Sequence, residues 1–450
     1  MNDQTAPDRV AAEATTETAQ PLAGRPTREA ERIASLDVLR GFALLGILLL
    51  NILGFGLLFA SYSNAGFDVS SDASADLVVW AGVELFAEGA MRCLFSILFG
   101  AGVVLFASGA RRRGAWLHYR RTFWLLVFGL VDAYLLLWSG DILVTYALAG
   151  AVLYWLRNLR ARWLLALTGL LLAGLVGFYA LVGVGLGQAR EAALTVSEAA
   201  DPDQLPPGTL AAAQAWNDLE ADFQPSPEAV EEELAARRGG YLSAFSWNLD
   251  KTNEMLGFVM PMFLFWDALV MMLLGMALFK LGVLQGERSR AFYVRLAAVG
   301  FALGLAINGY EVFRVVRSDF DFFRVFAQIQ PTYQLGRLGV ALGWLGVVVL
   351  FATGGGWQRL RRMLASVGRT ALTNYLLQSA IALFLFTGVG LGLVGRMSRA
   401  ELYPVVVVIW VFQLLVSDWW MRRYRFGPLE WLWRWLTYGR RPPLRREALQ

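Results

Sequence analysis

Residues 35–52 read SLDVLRGFALLGILLLNI, and from 41 to 60 the chain is apolar enough to cross a bilayer. The carboxylate of Asp37 and the guanidinium of Arg40 stand at the start of this apolar run, and the amide of Asn51 lies in its middle. Polar groups in a membrane helix are costly in lipid, so they are expected to face the interior of a helix bundle. The stretch therefore predicts a spanning helix that carries a polar stripe.

Apolar stretches of similar length recur through the chain of 450 residues, of which 57% are hydrophobic and only 17% are charged. Each is long enough for the roughly 30 Å hydrocarbon core of a bilayer, where backbone groups must bond within their own helix. The predicted fold class is therefore all-α, a polytopic integral membrane helical bundle with about ten transmembrane helices. The predicted spans are residues 41–60, 92–108, 122–138, 142–157, 163–184, 256–279, 291–310, 336–353, 370–388 and 402–420.

Arginine side chains mark one side of the membrane. Their clusters fall in alternate connections between the predicted spans, and the positive-inside rule places these connections and both termini in the cytoplasm. The opposite connections agree, because residues 61–79 contain no Lys or Arg and residues 190–254 are rich in Asp and Glu. The net charge of +4 thus reports topology, and the predicted partner is the lipid bilayer and not a nucleic acid. The clusters are Arg111, Arg112 and Arg113 with Arg120 and Arg121; Arg157, Arg160 and Arg162; Lys280, Arg288, Arg290 and Arg295; Arg359, Arg361, Arg362 and Arg369; and residues 422–446.

Composition divides the chain into five segments. Residues 1–32 mix Ala, Thr, Glu and Pro with few large apolar residues, which predicts a disordered cytoplasmic tail. Residues 185–255 are predicted to be a periplasmic insertion with short helices, one of them in SPEAVEEELAARRGG. The other segments are an N-terminal membrane half of five helices at 33–184, a C-terminal membrane half at 256–438 that ends in a tryptophan-rich interfacial helix, and a basic tail at 439–450.

A second polar stripe lies in SVGRTALTNYLLQSA. Thr370, Asn374 and Gln378 repeat every four residues and share one helix face, with Arg369 at the cytoplasmic entrance. Amides in a span are costly unless partnered, and hydrogen bonds between membrane helices contribute only about 0.6–2 kcal/mol. Asn374 and Asn51 therefore either hold helices together or line a polar cavity, and the sequence leaves both interpretations open.

Carboxylates form a third group, in GLVDAYLLLWSGDILVTYALAG. Asp132 lies inside a predicted span, where an ionisable side chain indicates function by default and could serve as a base or proton relay. Asp141 begins the next helix, where it either caps the helix N-terminus or acts with Asp132. Asp267, in MPMFLFWDALVMM, raises the same question. The candidate catalytic residues are Asp132 and Asp141, and the candidate binding residues are Asp37, Arg40, Asn51, Arg369, Thr370, Asn374 and Gln378.

The remaining reactive side chains are few. Cys93 is the single cysteine, which excludes a disulfide within one chain, and no metal site is predicted. The single histidine, His118, lies between arginines on a predicted cytoplasmic turn and is interpreted as an exposed loop residue. The sequence contains no phosphate loop, nucleophile elbow or HExxH motif, which excludes the soluble-enzyme classes that those motifs mark.

Five stretches in order carry a family resemblance: SLDVLRGFALLGILLLNI, LFSILFGAG, WSGDILVTYALAG, GRTALTNYLLQS and FGPLEWLWRWLTY. From residue 32 to 438 the chain resembles the YeiB-like membrane proteins, which carry a DUF418 domain in their C-terminal half. That family is similar at a distance to transmembrane acyltransferases, including the heparan-α-glucosaminide N-acetyltransferases and the acyltransferase-3 type. The resemblance implies a multi-pass protein of the bacterial inner (plasma) membrane, with residues 256–438 as the DUF418-like half.

The resemblance also implies a reaction, the transfer of an acyl group from cytoplasmic acyl-CoA to a sugar, lipid or other envelope acceptor. Acyl-CoA would be a co-substrate, with no permanently bound cofactor. Arg40 and Arg369 would bind the CoA phosphates, and Asn51 with Asn374 would orient the carbonyl. Where the family tends to carry a histidine before its tryptophan and Gly-Asp-Ile-Leu motif, this chain has Asp132. Asp132 either replaces that histidine as base or is not the catalyst.

The residues leave three functions open. The first is the membrane-embedded acyltransferase. The second is a transporter or permease in which Asp132 carries protons, although the two halves show no internal repeat of the kind that many transporters have. The third is a non-catalytic membrane protein whose polar groups serve only packing. The sequence specifies neither the substrate nor the oligomeric state.

Overall fold

A computed structural model describes residues 34–70, 72, 74–107, 114–321, 323 and 329–446. The predicted disordered tail at 1–32 and the arginines at 111–113 lie outside these residues. Within them the chain forms seventeen α-helices and no β-sheet. The helices are α1 (Ala34–Gly56), α2 (Phe59–Ser63), α3 (Ala75–Phe86), α4 (Ala90–Ala107), α5 (Ala115–Leu130), α6 (Leu143–Leu156), α7 (Ala161–Glu198), α8 (Pro207–Phe223), α9 (Pro227–Arg238), α10 (Tyr241–Glu254), α11 (Phe265–Lys280), α12 (Arg290–Arg317), α13 (Ile329–Thr353), α14 (Gln358–Arg369), α15 (Ala371–Phe386), α16 (Arg399–Arg423) and α17 (Pro428–Tyr438).

The all-α class is confirmed for the described residues, and all ten predicted spans fall on helices. Seven helical stretches in this part of the chain are long and apolar enough to cross a membrane. They contain α1, α3 with α4, α7, α10 with α11, α12, α13 and α16. The other three predicted spans fall on the shorter helices α5, α6 and α15, of 16, 14 and 16 residues. The count of ten and the cytoplasmic termini therefore stay predictions.

Two long helices are interrupted by wider turns. Val131–Leu135 continues α5 as a π-helical turn, and Met255–Leu264 joins α10 to α11 in the same way. Pro261 lies in the second of these segments and cannot donate a backbone hydrogen bond, which explains the local change of helix type. The first segment contains Asp132.

Helix α1 forms the centre of the bundle. It is buried along most of its length and contacts α4, α13, α14, α15 and α16. Helices α7 and α12 lie at the periphery and expose large apolar side chains, among them Leu170, Leu181, Val299 and Leu303. Apolar surface of this extent is unfavourable in water but suits contact with lipid.

Two glycines allow α1 and α14 to cross at backbone contact. A Cβ on Gly368 would lie 1.9 Å from the carbonyl oxygen of Asp37, and one on Gly41 would lie 2.0 Å from that of Leu364. Such small residues permit close approach of membrane helices. The crossing brings the start of α1, with Asp37 and Arg40, beside the end of α14.

Residues 185–255 fold back onto the other end of α1. Ser226 caps α9 by accepting a hydrogen bond from the Ala229 N–H, as the sequence predicts for this helix. Arg237 of α9 is buried and donates to the carbonyl oxygens of Gly54, Phe55 and Leu57 at 3.1, 2.8 and 2.8 Å. These carbonyls lie at the C-terminal end of α1, where helical partners are missing, and a cation there is favourable.

A carboxylate completes this contact. Glu233 accepts hydrogen bonds from Arg237 at 2.7 Å and from the Phe59 N–H at 2.9 Å. Burial lowers the pKa of Arg237, and the neighbouring Glu233 opposes that shift. The pair stabilises the guanidinium in its charged form against the end of α1.

Gly368→Ala is expected to destabilise the protein by about 1–3 kcal/mol, because the new methyl group would overlap the Asp37 carbonyl and force α1 and α14 apart. Thermal unfolding of the full chain in detergent, followed by tryptophan fluorescence, measures the effect. The matched control is Gly174→Ala on α7, where nothing lies within 4 Å of the added Cβ. This control should be neutral or raise stability slightly. Equal stability of the two variants would contradict the crossing.

Candidate functional site

A cavity of about 260 Å³ lies at the end of the bundle where α1, α15 and α17 begin and α14 ends. We call this the arginine-rich end. The arginine distribution predicts that it faces the cytoplasm. Aromatic and aliphatic side chains form much of the wall. The charged residues and the histidine that line the cavity are Asp37, Arg40, His118, Arg121, Arg369, Glu430 and Arg434.

Three of the predicted binding residues meet at this cavity: Asp37, Arg40 and Arg369. One nitrogen of the Arg40 guanidinium lies 3.3 Å from the Asp37 carboxylate and 3.5 Å from the Gly368 carbonyl oxygen. The helix crossing at Gly368 makes this arrangement possible. Arg40 is thereby held at the C-terminal end of α14, where carbonyl groups favour a cation.

Arg121 is held in the cavity wall by aromatic rings. Its guanidinium lies 4.8 Å from the centre of the Phe106 ring and 4.5 Å from that of Trp433. The Trp433 indole N–H also donates to the Arg121 carbonyl oxygen at 2.9 Å. These cation–π contacts fix a planar cation on α5 against α17, which suits recognition of phosphate.

Glu430 connects the last two sequence motifs, GRTALTNYLLQS on α14 and α15 and FGPLEWLWRWLTY on α17. One of its carboxylate oxygens accepts hydrogen bonds from the N–H groups of Leu372 and Thr373 at 2.6 and 3.1 Å, and the other accepts from the Thr373 hydroxyl at 2.6 Å. Glu430 thus caps the N-terminus of α15 from α17, satisfying groups that a helix start leaves unpaired. Glu430 is not among the residues predicted from the sequence, although a glutamate among the tryptophans of FGPLEWLWRWLTY was a visible signal.

The stripe of Thr370, Asn374 and Gln378 does not line this cavity. The Asn374 amide donates to the hydroxyls of Ser417 at 2.9 Å and Thr370 at 2.8 Å, and Gln378 donates to Gln413 at 3.0 Å. The predicted shared face therefore joins α15 to α16, which is the packing interpretation that the sequence left open. Asn51 is also buried, on α1, and is not among the lining residues.

Asp132 and Asp141 form a buried pair deeper in the bundle. Asp132 is fully buried, and its polar neighbours are the Ser379 hydroxyl and the Asp141 carboxyl group. One Asp141 oxygen accepts from the Val144 N–H at 2.8 Å, so Asp141 caps the start of α6. No Lys or Arg of the described residues forms an ion pair with Asp132, and a buried carboxylate without a cation is costly, which marks Asp132 as an unusual group.

Tyr375 connects this pair to the cavity. Its side chain lines the cavity, and its hydroxyl oxygen accepts a hydrogen bond from the N–H of Ile142, the residue after Asp141, at 3.2 Å. The same hydroxyl is a hydrogen-bond partner of the Asp141 side chain, since a phenol can donate and accept at once. A molecule that fills the cavity would therefore reach Tyr375 before the carboxylates.

His118 contradicts its interpretation as an exposed loop residue. It is only 3% exposed, and its Nε2 lies 2.9 Å from the Gly150 carbonyl oxygen. Its ring stacks on Tyr154 with centroids 4.7 Å apart. The physical reason is that α5 already begins at Ala115, so the residue lies on a helix face packed against α6.

A second charged cluster in the interior was also missed. Arg337 forms a bidentate salt bridge with Asp267, in which one of the two N···O distances is 2.8 Å. Arg92 lies 3.7 Å from the same carboxylate. Arg92 also donates to the Tyr333 hydroxyl at 3.0 Å, which donates to Glu88 at 2.9 Å. The signal was available, because Arg92 and Arg337 each interrupt an apolar run. Asp267 is fully paired here, which gives it a structural role.

Comparison with known proteins places these motifs in a family. An Escherichia coli K12 protein, described as uncharacterized protein YeiB, is 33% identical over 413 residues, which cover 90% of this chain and 96% of that protein. The chain belongs to the YeiB-like DUF418 family. The DUF418 family model, described as a protein of unknown function, matches residues 278–440. The Bacillus subtilis protein YxaH is 28% identical over 445 residues, covering 94% of this chain and 98% of that protein. The DUF418 match includes the cavity residues Arg369, Tyr375 and Glu430.

Glu430→Ala is expected to lower stability by about 1–3 kcal/mol, because two buried N–H groups at the start of α15 lose their acceptor. Glu430→Gln retains one acceptor oxygen and should lose less. Thermal unfolding in detergent measures both variants. Glu401→Ala, at the exposed capping box of α16, is the matched control and should lower the stability less than Glu430→Ala does. A Glu430→Ala variant no less stable than the Glu401→Ala variant would argue against this cap.

Proposed function

We propose that this YeiB-like protein is a membrane-embedded acyltransferase that takes an acyl group from cytoplasmic acyl-CoA and passes it to a sugar, lipid or other envelope acceptor. The observation that carries the proposal is the cavity at the arginine-rich end, where Arg40, Arg121, Arg369 and Arg434 outnumber the carboxylates of Asp37 and Glu430. Arginine binds phosphate oxygens through paired hydrogen bonds, and the surplus of positive charge favours an anionic ligand.

The size and walls of the cavity support an extended ligand with one charged end. Pockets that enclose a drug-sized molecule hold about 300–1,000 Å³, and this cavity holds about 260 Å³. It would therefore enclose an acyl-pantetheine arm and leave the nucleotide at the mouth. Phe95, Phe99 and Leu143 provide apolar contact for that arm.

The reacting carbonyl would lie near Tyr375. In the proposed step the acceptor hydroxyl oxygen bonds to the acyl carbon and the C–S bond of the thioester breaks. The hydroxyl proton passes to the carboxylate of Asp132 or Asp141 and then to the sulfur of the departing CoA. The Tyr375 hydroxyl would donate to the carbonyl oxygen as negative charge develops on it.

A specific observation also favours the transporter alternative. A smaller hollow of about 40 Å³ lies at the opposite ends of α1 and α15, lined by residues that include Trp138, Arg237 and Asn248. Ser379, a polar neighbour of Asp132, lies on α15 between Tyr375 in the cavity wall and Ala382 in the wall of the hollow. Separate hollows on either side of a buried carboxylate also suit a proton-coupled permease with alternating access.

Coenzyme A is expected to bind the purified full-length chain, and Arg40→Gln or Arg369→Gln to weaken its affinity about tenfold each, or about 1.4 kcal/mol. Isothermal titration calorimetry in detergent measures the affinity. The matched control is Arg162→Gln, an exposed arginine on α7 that does not line the cavity. The proposal fails if coenzyme A does not bind, or if the control weakens binding as much as the cavity variants do.

Asp132→Asn separates the two candidate functions. For an acyltransferase, coenzyme A affinity should change less than about twofold while turnover of labelled acetyl-CoA with membrane lipid or glycan acceptors falls at least about 100-fold, since proton acceptance is lost. Asp250→Asn, an exposed carboxylate on α10, is the control and should leave turnover unchanged. Solute flux into proteoliposomes that requires a pH gradient and Asp132, without acyl-CoA turnover, would instead establish the transporter.

A further inference from the structure

In the buried His118 ring one nitrogen is hydrogen-bonded, and the other has no hydrogen-bond partner among the described residues. The Gly150 carbonyl oxygen, 2.9 Å from Nε2, can only accept a hydrogen bond, so in the neutral ring Nε2 carries the proton. Nδ1 then bears a lone pair. It is buried and meets no hydrogen-bond partner in the part of the chain that the structure describes. His118 also lines the cavity, so this unpaired nitrogen lies in the wall, covered by its neighbours and close to the space that a ligand would fill.

The groups around His118 differ in whether their charge can change. On its own helix, Arg121 lies one turn further on and Tyr119 donates weakly to the Ala151 carbonyl. Helix α4 contributes the uncharged Phe106, and α6 contributes Tyr154. The Arg157 guanidinium lies over the Tyr154 ring. The charged residues elsewhere in the cavity wall are Arg40, Arg369 and Arg434, with Asp37 and Glu430.

Among these groups His118 is the one suited to gain charge when a ligand binds. The arginines are permanently protonated. Asp37 is paired with Arg40, and Glu430 accepts hydrogen bonds from α15. In the empty cavity, burial and the neighbouring arginines oppose a positive charge on the ring. A bound anion reverses this balance, because its negative charge offsets the arginines and favours a proton on Nδ1.

We infer that the cavity binds the phosphate groups of its ligand together with one proton, taken up at Nδ1 of His118, so that the ring becomes a cation beside the anion. The inference rests on the proposed binding of CoA phosphates and adds a proton to it. Its direct consequence is that affinity rises as pH falls, by up to about tenfold per pH unit where a single proton is fully linked to binding.

Dephospho-coenzyme A is the sharpest probe, because its pyrophosphate diester lacks the phosphomonoester that titrates with a pKa of about 6. Any proton taken up near pH 7 then belongs to the protein. Calorimetric titration of the full-length chain in PIPES and in imidazole buffer at pH 7 yields the number of protons from the difference in apparent enthalpy. We expect close to one proton in the wild type. In His118→Gln, which retains a donor for Gly150, we expect close to none, with affinity that no longer rises as pH falls.

A second measurement needs no substitution. His118 is the single histidine of the chain, so labelling with ¹⁵N-histidine in a preparation without a histidine tag gives one imidazole spectrum. The free protein should show a neutral ring protonated at Nε2, and the complex a ring protonated at both nitrogens. This readout decides the question even if His118→Gln does not fold.

The outcomes separate the inference from the function on which it rests. Binding of dephospho-coenzyme A with no proton uptake and a neutral ring in the complex would overturn the role of His118 and leave the arginine-lined site intact. Unchanged proton uptake in a folded His118→Gln variant would also overturn that role. Failure of the probe to bind at all would overturn both proposals.

Discussion

The backbone contact between Gly41 and Gly368 is the constraint on which the arrangement of the cavity depends. Side chains larger than hydrogen at either position would separate α1 from α14, and Arg40 would then lose its contact with the Gly368 carbonyl. Because α1 is also the central helix of the bundle, a shift of its start would propagate to the helices packed around it. The far end of α1 is fixed independently, by the guanidinium of Arg237 on its last carbonyl groups. The helix is thus held at both ends by contacts with segments distant in sequence.

The opposite wall of the cavity depends on Glu430 in the same way. By capping α15 from α17, this carboxylate fixes the tryptophan-rich helix against the bundle, and Trp433 can then hold the Arg121 guanidinium. Charge and packing are coupled here, since the carboxylate that caps the start of α15 also helps to position a cation in the cavity wall. Cations held by aromatic rings and helix ends lose little conformational entropy on binding, which is why a preorganised site of this kind suits an anion.

Much of the helical architecture could be predicted from the sequence, because each long apolar run can satisfy its backbone only as a helix. The shared face of Thr370, Asn374 and Gln378 was also predictable from their spacing, but their partners on α16 were not, since spacing says nothing about which helix lies opposite. The prediction that His118 lies in an exposed turn is wrong, because α5 already begins at Ala115 and one of its faces packs against α6. The pairing of Arg92 and Arg337 with Asp267 was missed because it joins residues from three separate helices.

The interior carboxylates show how partners distinguish a structural group from a candidate functional one. Asp267 lies between two arginines, so its charge is compensated, and replacing Asp267 would leave the buried Arg337 without its carboxylate. Asp132 has no such compensation within the described residues, and its nearest ionisable neighbour is a second carboxylate, Asp141. A protein that needed only to hold helices together would gain stability by replacing Asp132 with an apolar residue. The proposed function gives a reason to keep a buried carboxyl group without a cation, because acyl transfer and proton-coupled transport both contain a step in which such a group binds a proton.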